Sequence, residues 1–219
     1  NENVAVTSTA TELNLLDGKA ATNLALIGKT EGTNFTGSLL VGHATTGTLN
    51  ASSNNTGIGI GALDALTSGD DNVAIGYNAG KAITAGLKNT YVGSKSGEAM
   101  GNGYGNTGIG WNTMLKAGAG GACYNNTVIG RESGNEILTG RHNVFLGYQS
   151  GNNITSGDGN VVIGNADVAS ATADNQFKIS DGTDGSVVWL TGDSSANVTV
   201  GGTLTSDTGL VKTVGKETI

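Results

Sequence analysis

Eight glycines recur at a fixed short spacing through the middle of this 219-residue chain. Six of the seven intervals between them are 17 residues long, and the remaining interval is 20 residues long. A fixed short period is typical of a chain that stacks similar coils on one another, and not of a globule built around one core. The eight glycines are Gly42, Gly59, Gly76, Gly93, Gly110, Gly130, Gly147 and Gly164.

Each glycine ends a five-residue pattern of Asn, Thr or Val, any residue, an aliphatic residue and Gly; an imperfect first copy spans residues 38–42. We number the repeat from its Asn as position 1. Positions 2 and 4 are mostly β-branched and alternate with position 3, which is the periodicity of a β-strand. The Gly at position 5 predicts a corner with positive φ.

A second short segment follows within each repeat. Position 8 is small, position 12 is often apolar, and Gly returns at position 15 in several copies. The repeat therefore contains strand, corner, strand and corner. This order predicts an all-β fold, a parallel β-solenoid (β-roll) of 17-residue coils whose strands pair with the copies above and below at about 4.8 Å.

The Asn at position 1 has two interpretations. Its side chain can hydrogen-bond its own backbone at a turn. Alternatively, the side-chain amides stack into a ladder along the solenoid, as amides do in cross-β structures. The second interpretation is favoured because the residue is Asn in seven copies and never Asp. The seven residues are Asn55, Asn72, Asn89, Asn106, Asn126, Asn143 and Asn160.

Position 3 suggests an interface. The strand alternation directs it away from positions 2 and 4, and it becomes more apolar towards the C-terminus. An outward apolar row is typical of a partner surface, and a coil this thin has little core of its own. We therefore expect a parallel homotrimeric fibre, with position 3 at the trimer interface. The residues concerned are Tyr91, Val128, Phe145 and Val162.

Position 6, just past the corner glycine, carries aromatic residues in three copies: Tyr77, Trp111 and Tyr148. Aromatic side chains at exposed corners can stack on sugars or anchor protein contacts. They can equally cover a trimer seam or pack between neighbouring coils. Both interpretations predict a surface row.

Composition excludes several functional classes. The net charge is −7, and no cluster of Lys and Arg provides the basic patch that nucleic-acid binding requires. No apolar stretch approaches the roughly 18 residues of a membrane-spanning helix. A single cysteine, Cys123, excludes an intrachain disulfide framework.

No pattern for catalysis, a metal or another cofactor emerges from the residues. His43 and His142 occupy different repeat positions, so we expect exposed turn residues and not convergent metal ligands. Glu132 and Glu136 are close in sequence but lack an aromatic-lined pocket of the kind that glycoside hydrolysis needs. Cys123 lies in a Gly-rich insertion at residues 120–123, which predicts a bulge with an incidental thiol. We expect no enzymatic activity.

The chain divides into three parts. Residues 1–37 form an N-terminal connector, in which residues 9–18 carry capping signals for a short helix or belong to an intertwined segment. Residues 38–167 form the solenoid. Residues 168–219 form a C-terminal β cap, including a hairpin with a Gly-rich loop at 181–185.

Repeats such as residues 72–80 resemble those of phage tail fibres and the head repeats of trimeric autotransporter adhesins, although the adhesin repeat is a few residues shorter. Residues 9–18 resemble a stretch of tail fibres of marine and cyanobacterial phages. Residues 198–206 are similar to the segment that precedes a self-cleaving chaperone in many fibres. The resemblance implies a virion protein that forms a stiff trimer and contacts a host-surface glycan or protein and other tail proteins.

Three alternatives remain open at this point. The first is the head of a bacterial adhesin, located on the bacterial cell surface. The second is a polysaccharide-degrading tailspike, which would need clustered carboxylates. The third is an ice-binding solenoid, for which position 13 offers only Thr67, Thr84, Thr155 and Thr172.

Overall fold

The computed structural model describes residues 28–29, 34–42, 48–118 and 123–202. Over these residues the protein is all-β and forms a parallel β-solenoid of about eight turns. The predicted short helix at residues 9–18 and the inserted residues 119–122 lie outside the described residues.

The main sheet has 12 strands, and most of its neighbours lie one repeat apart in sequence. Strands β3 to β11 apart from β4 pair in parallel, each with the copy one coil away. A second, two-stranded sheet joins β2 and β4. The strands are β1 Gly28–Lys29, β2 Phe35–Thr36, β3 Leu39–Val41, β4 Ser52–Ser53, β5 Thr56–Ile58, β6 Val73–Ile75, β7 Thr90–Val92, β8 Thr107–Ile109, β9 Thr127–Ile129, β10 Val144–Leu146, β11 Val161–Ile163, β12 Phe177–Ser180, β13 Val188–Gly192 and β14 Val198–Val200.

The position-5 glycines form the predicted corners. Their φ angles range from 99° to 140°, which only glycine adopts without strain. They also stack closely: a β-carbon on Gly59 would lie 2.5 Å from the carbonyl oxygen of Gly76. A side chain at this column would therefore collide with the next coil.

Position 17 is a second left-handed turn, which the sequence analysis missed. Every described residue at this position has a φ of 54° to 68°. Asn and Asp tolerate this conformation better than other non-glycine residues, and the column contains three Asn, one Asp and three Gly. The column consists of Gly37, Asn54, Asp71, Lys88, Gly105, Asn125, His142, Gly159 and Asn175.

The prediction that position 3 faces outward is wrong. Tyr91, Val128, Phe145 and Val162 are fully buried inside the coil, so they cannot form a trimer interface. The reason is the two-residue periodicity of a strand, which places alternate side chains on opposite faces of the sheet. Positions 1 and 3 lie on the same side of the strand, and the position-1 asparagines are buried. Positions 2 and 4 therefore point outward.

Positions 3 and 9 are neighbours in the interior, and a side chain at one of them is matched by glycine at the other. A β-carbon on Gly57 would lie 3.4 Å from Cδ1 of Leu63, while one on Gly151 would lie 2.8 Å from the ring of Phe145. In each of six coils one of the two positions is glycine, which keeps the core close-packed. The pairs are Gly57 and Leu63, Ala74 and Gly80, Tyr91 and Gly97, Gly108 and Met114, Val128 and Gly134, and Phe145 and Gly151.

The solenoid ends in an antiparallel hairpin, β12 and β13, to which β14 adds a third strand. Strand β12 pairs in parallel with the last coil, so the hairpin continues the main sheet without a break. At the other end, β1 pairs antiparallel with β3.

Candidate contact surface

The position-1 asparagines form a continuous ladder inside the solenoid. From Asn72 onward, Nδ2 of each donates to Oδ1 of the preceding one over 3.0–3.1 Å, and its backbone N–H donates to the same oxygen. In most coils Nδ2 also donates to the carbonyl of position 15, as Asn72 does to Gly86 at 2.8 Å. All seven side chains are fully buried. The ladder therefore satisfies its own polar groups and holds the coils in register.

Both ends of the ladder are closed by other polar side chains. Oγ of Ser38 accepts the backbone N–H of Asn55 at 2.8 Å. At the far end, the backbone N–H and Nε2 of Gln176 donate to Oδ1 of Asn160 at 2.8 and 3.2 Å. The substitution of Ser at the first copy and Gln after the last is explained by these terminal bonds.

Outside the ladder, positions 2 and 4 form one surface, which we call the aliphatic face. It extends over 11 strands, because the residues of β12 to β14 that pair with these columns lie on the same side of the sheet. The position-4 column is Val41, Ile58, Ile75, Val92, Ile109, Ile129, Leu146, Ile163, Ile179, Leu190 and Val200. The position-2 column is Leu39, Thr56, Val73, Thr90, Thr107, Thr127, Val144, Val161, Phe177, Gly192 and Val198.

No residue of either column is charged, and every residue of the position-4 column is aliphatic. Ile58, Ile75, Ile109 and Ile129 each expose 37–40% of their surface. A non-repetitive hairpin has no need to maintain this pattern for the sake of the solenoid core. Its continuation onto β12, β13 and β14 makes the aliphatic face one contiguous uncharged surface from the solenoid to the hairpin.

One edge of the aliphatic face carries the position-6 row: Ile60, Tyr77, Ser94, Trp111, Arg131, Tyr148 and Asn165. The predicted contact residues Tyr77, Trp111 and Tyr148 expose 51%, 46% and 37% of their surface. The Arg131 guanidinium lies 5.3 Å from the ring centre of Trp111 and 5.1 Å from that of Tyr148. The row is thus both packed between coils and open to solvent.

The opposite edge carries a position-16 row that the sequence analysis missed: Ser53, Asp70, Leu87, Tyr104, Tyr124, Arg141, Asp158 and Asp174. From Leu87 to Arg141 it is joined by successive parallel bridges. The rings of Tyr104 and Tyr124 have centroids 5.1 Å apart, and the Arg141 guanidinium lies 5.0 Å from the Tyr124 ring centre. The available signal was a large side chain two residues before four successive Asn: Leu87, Tyr104, Tyr124 and Arg141.

Cys123 occupies position 15, where most other coils have glycine. Its carbonyl accepts Nδ2 of Asn106 at 2.9 Å, as the glycine carbonyls do in other coils. The thiol is buried, and its Sγ contacts the carbonyl oxygen of Leu138 at 3.4 Å. Burial raises the pKa of the Cys123 thiol to about 11, which makes it a poor nucleophile at neutral pH.

The charged residues singled out in the sequence have separate partners. Glu136 pairs with Lys116 at 2.6 Å, whereas Glu132 lies 3.6 Å from Arg131 and accepts Nε2 of Gln149 at 3.0 Å. His142 is an exposed residue of the position-17 turn, and His43 lies outside the described residues. Within the described ranges, no three His, Cys, Asp or Glu side chains are grouped to hold a metal ion.

Comparisons with known proteins do not place the chain in a family: no family model, curated protein or solved structure matches it. Among the residues that the structure describes, no helix has the length and apolarity to span a bilayer.

Proposed function

We propose that this chain is a structural and adhesive segment of a phage tail fibre, in which three copies associate in parallel into a stiff rod. The observation that carries the proposal is the aliphatic face, an uncharged outer surface that continues from the solenoid onto the C-terminal hairpin. The resemblance of the repeats to tail fibres and adhesin heads supports the same assignment.

A stack held by the buried asparagine ladder is well suited to act as a spacer. Eleven strands about 4.8 Å apart give a rod about 48 Å long. Sliding one coil against the next would break several buried hydrogen bonds at once, since each ladder oxygen accepts two. The resulting rod resists bending and keeps its two ends at a constant distance from each other.

The aliphatic face explains why such a rod should associate. Soluble monomers rarely expose contiguous apolar patches larger than a few hundred Å². The chain has a net charge of −7, so two copies repel unless they meet through a surface without charge. The aliphatic face is such a surface, and association through it leaves the acidic residues in solvent.

The adhesive part of the proposal rests on exposed aromatic side chains. Trp189 on β13, which belongs neither to the two columns of the aliphatic face nor to the rows at its edges, exposes 54% of its surface. Aromatic rings in this setting can stack on the sugars of a host-surface glycan or anchor a protein receptor. The same architecture would serve the head of a trimeric adhesin on a bacterial surface.

The mass of the full chain in solution tests the assembly. Light scattering should give three times the chain mass. Ile129→Asp, which places a charge in the aliphatic face, should dissociate the trimer while the far-UV circular dichroism stays that of the folded chain. Ser156→Asp adds the same charge at an exposed site outside that face and should remain trimeric. A stable wild-type monomer would overturn the proposal.

The biological setting is tested by the neighbouring genes. Baseplate or capsid genes beside this one are expected for a tail fibre. A membrane anchor encoded downstream would instead assign the chain to an adhesin.

A further inference from the structure

The two rows that border the aliphatic face carry complementary side chains at three successive levels of the stack. Each level contains one position-16 residue, one strand and one position-6 residue, because the bridges of the position-16 row advance in step with the strand pairs. At the level of β8 these residues are Tyr104 and Trp111; at the level of β9, Tyr124 and Arg131; at the level of β10, Arg141 and Tyr148. Each of these three levels therefore offers an aromatic ring opposite a ring or a guanidinium.

We infer that the position-16 row of one copy docks against the position-6 row of the next copy at the same level, around a threefold axis that the aliphatic faces surround. The inference rests on the proposed trimer and adds its geometry. The partner that covers each edge of the aliphatic face is another copy of this chain.

The dimensions of a threefold arrangement agree with this assignment. Packed sheets lie about 10 Å apart, so each backbone would lie about 5 Å from the axis. Three faces at that distance form a triangle with sides of about 17 Å, or roughly five residue spacings. The vertices then fall just beyond the turns at positions 5 and 17, where positions 6 and 16 lie. Over the rod length this gives about 800 Å² per chain, the size of a standard interface.

The charges agree with the register that the symmetry imposes. A pure rotation shifts no chain along the axis, so residues of the same level must meet. In that register Arg141 meets Tyr148, and Arg131 meets Tyr124, which are favourable cation–π contacts. A shift of one level that brings Arg141 against Arg131 would lose both of these contacts and place two like charges together. From β5 to β11 the remaining levels pair no like charges: Ser53 with Ile60, Asp70 with Tyr77, Leu87 with Ser94, and Asp158 with Asn165. The docking is confined to these levels, because at β12 Asp174 lies at the level of Asp181 and two carboxylates would meet.

Crosslinking of two double variants of the full chain tests the register. Tyr104→Cys with Trp111→Cys places both thiols at one level, whereas Leu87→Cys with Tyr148→Cys places them three levels apart, or about 14 Å along the stack. A short bismaleimide should convert only the first variant into a covalent trimer on a denaturing gel. Within one chain the two sites lie on opposite edges of the face, beyond the reach of a short linker. Light scattering before the reaction establishes that each variant is trimeric.

The outcomes separate the two proposals. Three results overturn the docking of the position-16 row on the position-6 row but leave the trimeric fibre standing. In these, the trimer crosslinks in both variants, in neither, or only as far as a covalent dimer. A monomer overturns both. A trimer that crosslinks only in the same-level variant supports both.

Quenching provides a measurement without new cysteines. In a Trp189→Phe background, Trp111 is the only tryptophan. Docking predicts that acrylamide quenches Trp111 several-fold less in the trimer than in the same chain made monomeric by Ile129→Asp. Equal quenching constants in trimer and monomer overturn the inference.

Discussion

Gly97 lies so close to the ring of Tyr91 that a β-carbon there would fall 2.7 Å from Cδ1 and Cε1 of the ring. Its φ of +61° adds backbone strain for any other residue. The two residues occupy positions 9 and 3 of one coil. Their pairing shows how a thin solenoid holds a tyrosine in its interior: the coil removes a side chain at one position to admit a ring at the other.

We expect Gly97→Ala to lower the free energy of unfolding by about 2–3 kcal/mol, since overpacking and a left-handed backbone both oppose it. Gly101→Ala is the matched control, because a β-carbon there meets nothing within 4 Å. Urea unfolding of both variants checks the difference. Combining Gly97→Ala with Tyr91→Val should recover part of the loss, and strictly additive effects would contradict direct contact between the two sites.

The asparagine ladder predicts a strong dependence on the amide group. Asn89→Asp removes the donors that reach Oδ1 of Asn72 at 3.0 Å and the carbonyl of Gly103 at 2.8 Å. A buried carboxylate facing two oxygens should cost about 3 kcal/mol or more. Asn102→Asp is an exposed control that keeps its acceptor bonds to Thr84 and Ala85. Thermal unfolding of the two variants at neutral pH should differ accordingly.

The same variant should respond to acid in an unusual direction. Burial raises the pKa of the new carboxyl in the folded state above its unfolded value, so the folded state binds more protons. The stability deficit of Asn89→Asp relative to the wild type should therefore shrink as the pH falls towards the pKa of an unfolded Asp. A deficit that stays constant or grows with acid would contradict the buried position of this side chain.

Tyr91→Phe should leave the protein equally stable or more stable. The Tyr91 hydroxyl is buried without a hydrogen-bond partner among the described residues. The amide of Asn106 interacts with it but is committed to the ladder. Removing such a hydroxyl should raise the free energy of unfolding by up to about 1 kcal/mol. Tyr91→Ala, which also empties the ring site, should lose about 3–5 kcal/mol. Denaturant midpoints of the two variants distinguish hydroxyl from ring.

Alkaline pH should destabilise the protein through Cys123. Burial raises the pKa of its thiol from about 9 to about 11, so between these values the unfolded state releases a proton that the folded state keeps. The contribution of the protonated thiol to the free energy of unfolding is therefore fully present below about pH 9. It falls by about 2 kcal/mol as the pH rises towards 11. Urea unfolding across this range should show a shallower fall for Cys123→Ala. Equal slopes would contradict the burial of the thiol. Burial also raises the pKa of Tyr91, which acts in the same direction at higher pH.

Much of the architecture follows from the repeat alone. The 17-residue period predicted a parallel solenoid, and the structure confirms it from β3 to β11. The invariant glycine predicted a positive-φ corner, which Gly59 and Gly76 adopt. The ladder was one of two interpretations of Asn72 and its counterparts. The choice between them required the inter-coil distances that only the fold provides.

The orientation of the strand was predicted wrongly, and the reason is physical. Val and Ile at positions 2 and 4 are typical of a core, so position 3 was assigned to the outside. In the structure Ile75 is exposed and Tyr91 is buried. The buried amide of Asn72 shares its side of the strand with Ala74, and hydrogen bonds between stacked amides are strongest where water does not compete for them.

The sequence by itself determined the period, the corners and the stacking of coils, because a regular spacing of glycine and β-branched residues leaves few other ways to pair the backbone. Only the tertiary structure decided which side of each strand is the interior. A two-residue alternation is unchanged when its two sides are exchanged, so burial depends on which side chains fit the narrow space between opposite walls of the coil. In the structure the Ile and Val columns of positions 2 and 4 therefore form an outer face, and the rows at positions 6 and 16 lie along its two edges.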